Sequence, residues 1–134
     1  MMNEPLSTIM TTEIVTLSPD DSLQKAKELF VNQGFHHIPI VEDNKLVGVV
    51  TKSDLWKSGK AFNEYESSKV SEVMSRKMVH LEPNQRIGVA AELFLENKFG
   101  YIPILENDGK LVGIVSSFDI MLYSFKKEYP RQFD

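Results

Sequence analysis

Two four-residue strings, Thr51-Lys52-Ser53-Asp54 and Ser116-Ser117-Phe118-Asp119, set a hydroxyl three residues ahead of a carboxylate. Each follows an apolar, β-branched run, so each is expected where a strand hands over to a helix. At such a junction unpaired backbone amides and the positive end of the helix dipole face outward together, which attracts phosphate. A carboxylate nearby can accept two hydrogen bonds from a vicinal diol, and the hydroxyl can bond a phosphate oxygen. Ribose plus phosphate is the ligand fragment that fits. The same residues also spell a helix cap, with Thr51 or Ser116 at the N-cap and the Asp three positions on as its capping-box partner. Capping is needed whether or not a ligand binds, so both readings can hold.

The remaining polar residues add little chemistry. His36 and His37 are adjacent, and adjacent side chains of a strand point to opposite faces, so the two cannot easily ligate one ion. His80 stands apart, cysteine is absent, and no metal site is expected. His36, His80, Lys52, Arg86 and Lys98 are candidates for balancing a polyphosphate. There is no nucleophile elbow, no phosphate loop and no dinucleotide fingerprint, so no catalytic residue is named and no enzyme is expected. The Asp20-Asp21 pair lies at a helix start, where acids favour the dipole.

The elements that must position the two strings are written twice. Lys45-Leu46-Val47-Gly48-Val49-Val50 returns as Lys110-Leu111-Val112-Gly113-Ile114-Val115, Ile38-Pro39-Ile40 as Ile102-Pro103-Ile104, and Glu28-Leu29-Phe30 as Glu92-Leu93-Phe94. Pro19 matches Pro83, Met10 matches Met74, and Gly109 is the single insertion. In each copy a short apolar run (Ile14 to Leu17) stops at a turn around Pro19. Apolar residues at helical spacing follow, Leu23, Ala26, Leu29 and Phe30 in one copy and Ile87, Ala90, Leu93 and Phe94 in the other. Gly34 can end the first helix in a left-handed conformation. A hairpin through Asp43-Asn44 and a second helix complete the copy. Pro39, lacking an amide hydrogen, belongs at an edge or strand end.

The fold class is therefore α/β (α+β), two β-α-β-β-α repeats packed with pseudo-twofold symmetry. The divisions are residues 6–57 for the first repeat, 58–69 for a polar connector, 70–122 for the second repeat, and 123–134 for a helix extension and tail. Leu6 to Met10 and Val70 to Met74 read as short helical turns leading into each copy. A copy of about 50 residues buries too little surface to be comfortable alone, so one shared core is expected. The aromatic tail, Tyr123, Phe125, Tyr129 and Phe133, is expected to pack back on the body.

Composition is that of an ordinary globular protein, with 42% hydrophobic and 25% charged residues. The formal net charge of −4 argues against a general nucleic-acid binder, which needs a basic surface. With no run of about 18 apolar residues and no leader-like start, the reading is a cytoplasmic chain with no membrane partner.

In order, Val-x-x-Val-Met, a Pro-Asp helix entry, Ile-Pro-Ile, Lys-Leu-Val-Gly-Val-Val and Thr-x-x-Asp resemble the cystathionine beta-synthase (CBS) domain, and the tandem pair resembles a stand-alone Bateman module from Leu6 to Leu122. The departures are Ile40 and Ile104 after the prolines, Ser116 for Thr, and His36-His37 where the second copy has Gly100-Tyr101, so two equal sites are not assumed. The resemblance implies a regulatory module that binds an adenosine nucleotide or derivative, of the AMP, ADP, ATP or S-adenosylmethionine class, in clefts between the repeats. It requires no cofactor. Carried over by position, the base would lie against Ile14 to Thr16 and His37, Ile38 and Pro39 in one copy, with Thr51 and Asp54 on ribose and phosphate. In the other copy Met78 to His80, Tyr101, Ile102 and Pro103 would take the base, with Ser116 and Asp119. Aliphatic side chains would sandwich the ring, and backbone groups beside the prolines would read its edge. The resemblance also implies a homodimer and a regulated protein partner. The alternative is a dimerisation scaffold whose caps bind nothing.

Overall fold

In the computed structural model, which describes residues 2–97 and 100–130, the helical spacing from Leu23 becomes α1 (Leu23–Gln33). The Ser22 side chain accepts a hydrogen bond from Lys25 N at 3.1 Å to cap its start, and Gly34 follows its end at φ +69°. The chain then runs through β1 (His37–Glu42) and β2 (Lys45–Thr51), which pair antiparallel. Asp43 and Asn44 both have positive φ, as a two-residue hairpin turn of right-handed twist demands. α2 (Lys52–Lys57) is short. The second copy supplies α3 (Ile87–Asn97), the antiparallel pair β3 (Tyr101–Leu105) and β4 (Leu111–Ser116), and α4 (Ser117–Glu128). No helix among the described residues is long and apolar enough to cross a membrane.

The opening strand of each copy is shorter than its apolar run suggests. It is one parallel bridge, Leu17 to Ile40 and Leu81 to Ile104. The turn at Pro19 or Pro83 follows too closely for more. Leu17 N donates to Pro39 O at 3.1 Å and Val41 N to Leu17 O at 2.8 Å, and Leu81, Pro103 and Leu105 repeat the pattern. This bonding uses the proline carbonyl and never its missing amide. Pro39 and Pro103 therefore sit inside strands with neighbours on both sides, not at an edge as expected.

The described residues divide into two compact units, one holding Val15–Met78 and the other residues 2–14 with 79–97 and 100–130. The lead-in turn of each copy thus belongs to the unit of the other copy. In the first unit the 3-10 turn Val70–Glu72 buries Val70, and Ser75 bridges Val49 through bonds of 2.9 and 3.0 Å. In the second, Leu6–Thr8 buries Leu6, and Thr11 bridges Ile114 through bonds of 2.8 and 3.0 Å. The lead-in methionines press onto the strands. A Cβ at Gly48 would come within 2.7 Å of Met74 Sδ, and one at Gly113 would collide with Met10 Sδ. That close approach is why glycine ends both Lys-Leu-Val-Gly strings.

Buried side chains gather into two clusters rather than the single shared core expected. Leu17, Leu23, Phe30, Ile38, Ile40, Val50 and Val70 lead one, and Leu6, Leu81, Ile87, Ile102, Ile104 and Val115 the other. Each cluster is completed by the lead-in it borrows. The connector also contributes. Tyr65 is buried in the first cluster and its backbone carbonyl accepts from Gln24 N at 3.2 Å. Of the aromatic tail, Tyr123 packs on the second cluster, while Phe125 and Tyr129 are exposed with ring centroids 4.8 Å apart. Phe133 and Lys98 lie outside the described residues.

Candidate functional site

Both capping boxes form. Thr51 N donates to Asp54 Oδ2 at 2.8 Å and Asp54 N to Thr51 Oγ1 at 3.2 Å. Ser116 N donates to Asp119 Oδ2 at 2.8 Å and Asp119 N to Ser116 Oγ at 3.1 Å. Each box uses one carboxylate oxygen. Oδ1 of each Asp makes no hydrogen bond among the described residues, and each hydroxyl still has its own proton to donate. A diol acceptor and a phosphate donor therefore survive the capping.

The hairpin register brings the next residues to the caps. His37 is the cross-strand partner of Thr51, and Tyr101 that of Ser116. Burial holds the His37 imidazole below its ordinary value, aided by the neighbouring His36 charge and opposed by Asp54. Burial likewise pushes the Tyr101 phenol well up. The two caps differ at the helix start. Ser117 N donates to Gly100 O at 3.1 Å, and no equivalent bond from Lys52 N to His36 is present.

The other expected site residues divide between the units. Thr16, His37, Ile38, Pro39, Thr51 and Asp54 fall in one, and Ile14 in the other. His80, Tyr101, Ile102, Pro103, Ser116 and Asp119 fall together, and Met78 apart from them. Thr16 and His80 are exposed. Ile38, Pro39, Ile102 and Pro103 are fully buried in the cores, so their side chains cannot sandwich a ring. The carbonyls of the two prolines are already taken by Leu17 and Leu81. His36, Lys52 and Arg86 are exposed.

Each Asp also faces a cleft that sequence reasoning missed. Asp54 shares one of about 310 Å³ with Lys57, Ser58, Lys60, Glu72 and Val73. Asp119 shares one of about 440 Å³ with Thr8, Ile9, Leu122, Tyr123, Lys126 and Lys127. The two are repeat-equivalent, since Thr8-Ile9 corresponds to Glu72-Val73 and Leu122-Tyr123 to Lys57-Ser58. The signal available in the sequence was helical spacing, because residues three, four, seven and eight places after Asp119 lie on its own face. Lys60 pairs with Glu72 at 3.2 Å, and Lys127 with Glu4 at 2.8 Å. Glu4 Oε1 also accepts from Tyr123 Oη at 2.6 Å. These bonds from Lys127 and Tyr123 hold the Glu4 carboxyl below its usual range and raise both donors.

The family model described as the CBS domain matches residues 6–55 and 70–126. Over 119 residues the chain is 32% identical to the CBS domain-containing protein YhcV of Bacillus subtilis, covering 89% of this chain and 84% of that one. Over 116 residues it is 33% identical to inosine-5'-monophosphate dehydrogenase of Thermoplasma acidophilum, covering 85% of this chain and 22% of the enzyme. The chain spans between 22% and 49% of the length of the first curated relatives it matches. Among solved structures, CBSX2 of Arabidopsis thaliana in complex with AMP superposes with a TM-score of 0.82 at 27% identity, covering 93% of this chain and 98% of that one.

Proposed function

Because the chain belongs to the CBS domain family, we propose that it is a regulatory module that senses an adenosine nucleotide or a derivative of one. The observation that carries the reading is the spare chemistry of the two caps. Each keeps one carboxylate oxygen for a ribose diol and one hydroxyl proton for a phosphate, after its own box is complete. The AMP bound by CBSX2, to which this chain is 27% identical, supports that ligand class. Thr16 and His37 in one copy, and His80 and Tyr101 in the other, are the residues we assign to the base. Ile38, Pro39, Ile102 and Pro103 hold the strands in place from the core. The first cap is the stronger phosphate site, because Lys52 N has no carbonyl in the place that Gly100 takes on Ser117 N.

The module works as a homodimer in this reading. Val31 and Trp56 are exposed apolar residues on α1 and α2, and their repeat equivalents Leu95 and Met121 are exposed on α3 and α4. Apolar side chains kept in water at the same positions of both copies are suited to an interface. A ligand shifts such an assembly, and the protein it regulates, only by its differential affinity for two states.

Thermal unfolding with and without AMP, ADP, ATP and S-adenosylmethionine tests the reading. At one hundred times its dissociation constant a ligand adds about 2.7 kcal/mol, which raises the midpoint by several degrees. A shift with one of these and its loss in Asp54→Asn or Asp119→Asn supports the sensor. Because each hydroxyl and Asp already complete a capping box with each other, the second reading is a dimerisation scaffold, and no shift in a folded, nucleotide-free protein selects it.

A further inference from the structure

The first copy carries a pocket whose lining the repeat does not require. It measures about 340 Å³ and is lined by α1, α2 and the connector. Phe30 and Leu55 floor it, both buried, and both have apolar counterparts in the second copy, Phe94 and Ile120. The other features do not recur. Phe62 and Tyr65 come from the connector, which the repeat lacks, and Lys27 and Lys52 match Ala91 and Ser117. The aromatic pair of the connector is held in place. Tyr65 is buried, its Oη donates to Leu55 O at 3.4 Å, and its ring meets Phe62 edge-on with centroids 5.4 Å apart. Trp56 and Phe62 stand above as walls, 81% and 61% exposed. No acid is among the lining residues. Lys27 Nζ lies 4.1 Å from the Phe62 ring centre, and neither Lys27 nor Lys52 forms an ion pair among the described residues. Glu28, the acid next to Lys27 on α1, accepts from Gln24 instead, at 3.3 Å.

We propose that this pocket binds a small organic anion, a carbocyclic aromatic ring bearing a carboxylate. Its volume falls in the range of small-molecule sites, about 300 to 1,000 Å³, whose walls are mainly apolar and aromatic with a few placed polar groups. The rings of Phe30, Trp56, Phe62 and Tyr65 suit an aromatic body, which prefers edge and offset contacts. Two ammonium groups over an acid-free pocket select an anionic head, since hydrogen bonds to a charged acceptor are the strong ones. Lys27 serves both ends, because an ammonium set on a ring face keeps donors turned away from it. A nucleotide base fits poorly. Its ring nitrogens and exocyclic groups need partners, and besides the lysines the lining side chains offer only the Trp56 indole N–H and the Tyr65 hydroxyl, already bonded to Leu55 O. Neither Thr51 nor Asp54 lines the pocket, so the site is separate from the cap and takes a different class of ligand. Val31 and Trp56 at its lip are shared with the interface proposed above, which makes a second copy of the chain the competing occupant.

Trp56 is the single tryptophan of the chain, so its indole N–H gives one NMR resonance that reads this wall of the pocket. Titrating 2-naphthoate into the isotope-labelled full chain should move that resonance to saturation, and 2-naphthamide, its neutral counterpart, should bind about tenfold more weakly. Lys27→Gln with Lys52→Gln should remove the preference, bringing the naphthoate to within about twofold of the naphthamide. Phe62→Ala should weaken both probes by about fivefold. AMP should titrate alike in Phe62→Ala and the unsubstituted chain, bound or not, so the pocket and the nucleotide reading fail separately. None of the three positions is buried, and circular dichroism will register that the fold survives. The absence of a saturable shift in the unsubstituted protein overturns the site, and equal binding of the naphthamide overturns the anion preference. Naphthoate held at full affinity by Phe62→Ala binds elsewhere, which overturns the pocket. A Trp56 resonance that moves on protein dilution and not with naphthoate identifies a second copy as the occupant and overturns it as well.

Discussion

Asp54 carries two roles on two oxygens, and substitution can separate them. In Asp54→Asn the amide oxygen still accepts from Thr51 N, so the box geometry persists and what is lost is a charge in the first turn of α2. That charge is worth about 0.3 to 1 kcal/mol. In Asp54→Ala the 2.8 Å bond to Thr51 N disappears as well, a cap loss of about 1 kcal/mol and up to about 2. For a chain of this length each kcal/mol moves the melting midpoint by roughly 3 to 5 °C, so the alanine variant should melt several degrees below the asparagine variant. Ligand binding should not follow that order. A charged acceptor of the ribose diol contributes about 1.5 to 3 kcal/mol, so both variants should lose a factor of roughly 10 to 150 in affinity at the first site. Calorimetric titration with AMP beside calorimetric melting reads both quantities. The reasoning fails if Asp54→Asn binds within about twofold of the unsubstituted protein, for the carboxylate would then be a cap and nothing else.

Gly113→Ala places a methyl on Met10 Sδ and should cost about 1 to 3 kcal/mol in urea unfolding, with Met10→Ala in the same chain returning part of it; a loss under about 0.5 kcal/mol would show that the lead-in is not pressed onto β4. Burial depresses the His37 pKa in the folded state, so its contribution to stability is present above the unfolded value near 6.5 and drains away as pH falls through the folded one. Melting should therefore decline between about pH 7 and pH 5, and His37→Asn should flatten that slope; an equal slope in both proteins rejects the assignment. Glu4 should titrate below the ordinary glutamate range by carboxyl NMR, and Tyr123→Phe should move it upward by removing one of its two donors; no movement would mean that Lys127 holds it unaided.

Much of the fold was legible because local chemistry and periodicity agree at each step. The helical spacing of Leu23, Ala26 and Phe30, the positive φ of Gly34 and the Asp43-Asn44 turn are local signals, and each appears where it was read. The caps were legible for the same reason, since a hydroxyl and an Asp three residues apart bond each other whatever surrounds them. The clefts beside Asp54 and Asp119 were not, because two residues of each lining come from a lead-in turn, Glu72 and Val73 in one and Thr8 and Ile9 in the other, outside the helix that carries the Asp. Nor did the pattern reveal that the side chains of Ile38, Pro39, Ile102 and Pro103 are wholly buried in the cores. An Ile-Pro-Ile run looks the same whether its side chains meet a base or a helix.

The exchange of lead-ins was the least legible feature, and strand direction explains why it must occur. Met10 and Met74 sit in matching strings, and Gly48 and Gly113 are matching sockets, so local sequence satisfies either pairing equally well. Direction breaks the tie. Ser75 runs antiparallel to β2, and β2 antiparallel to β1, so a lead-in on that edge runs parallel to β1. Leu17, on the other edge, also runs parallel to β1. Were Thr11 to take the Ser75 position beside its own copy, residues 12–16 would have to join two parallel strands on opposite edges of one sheet. A parallel crossover needs a dozen or more residues, and five are available. The same shortage separates Ser75 from Leu81. A lead-in tied this closely to the strand after it is obliged to pair with the other copy. Each Asp-bearing cleft is therefore lined by residues of both copies of the repeat.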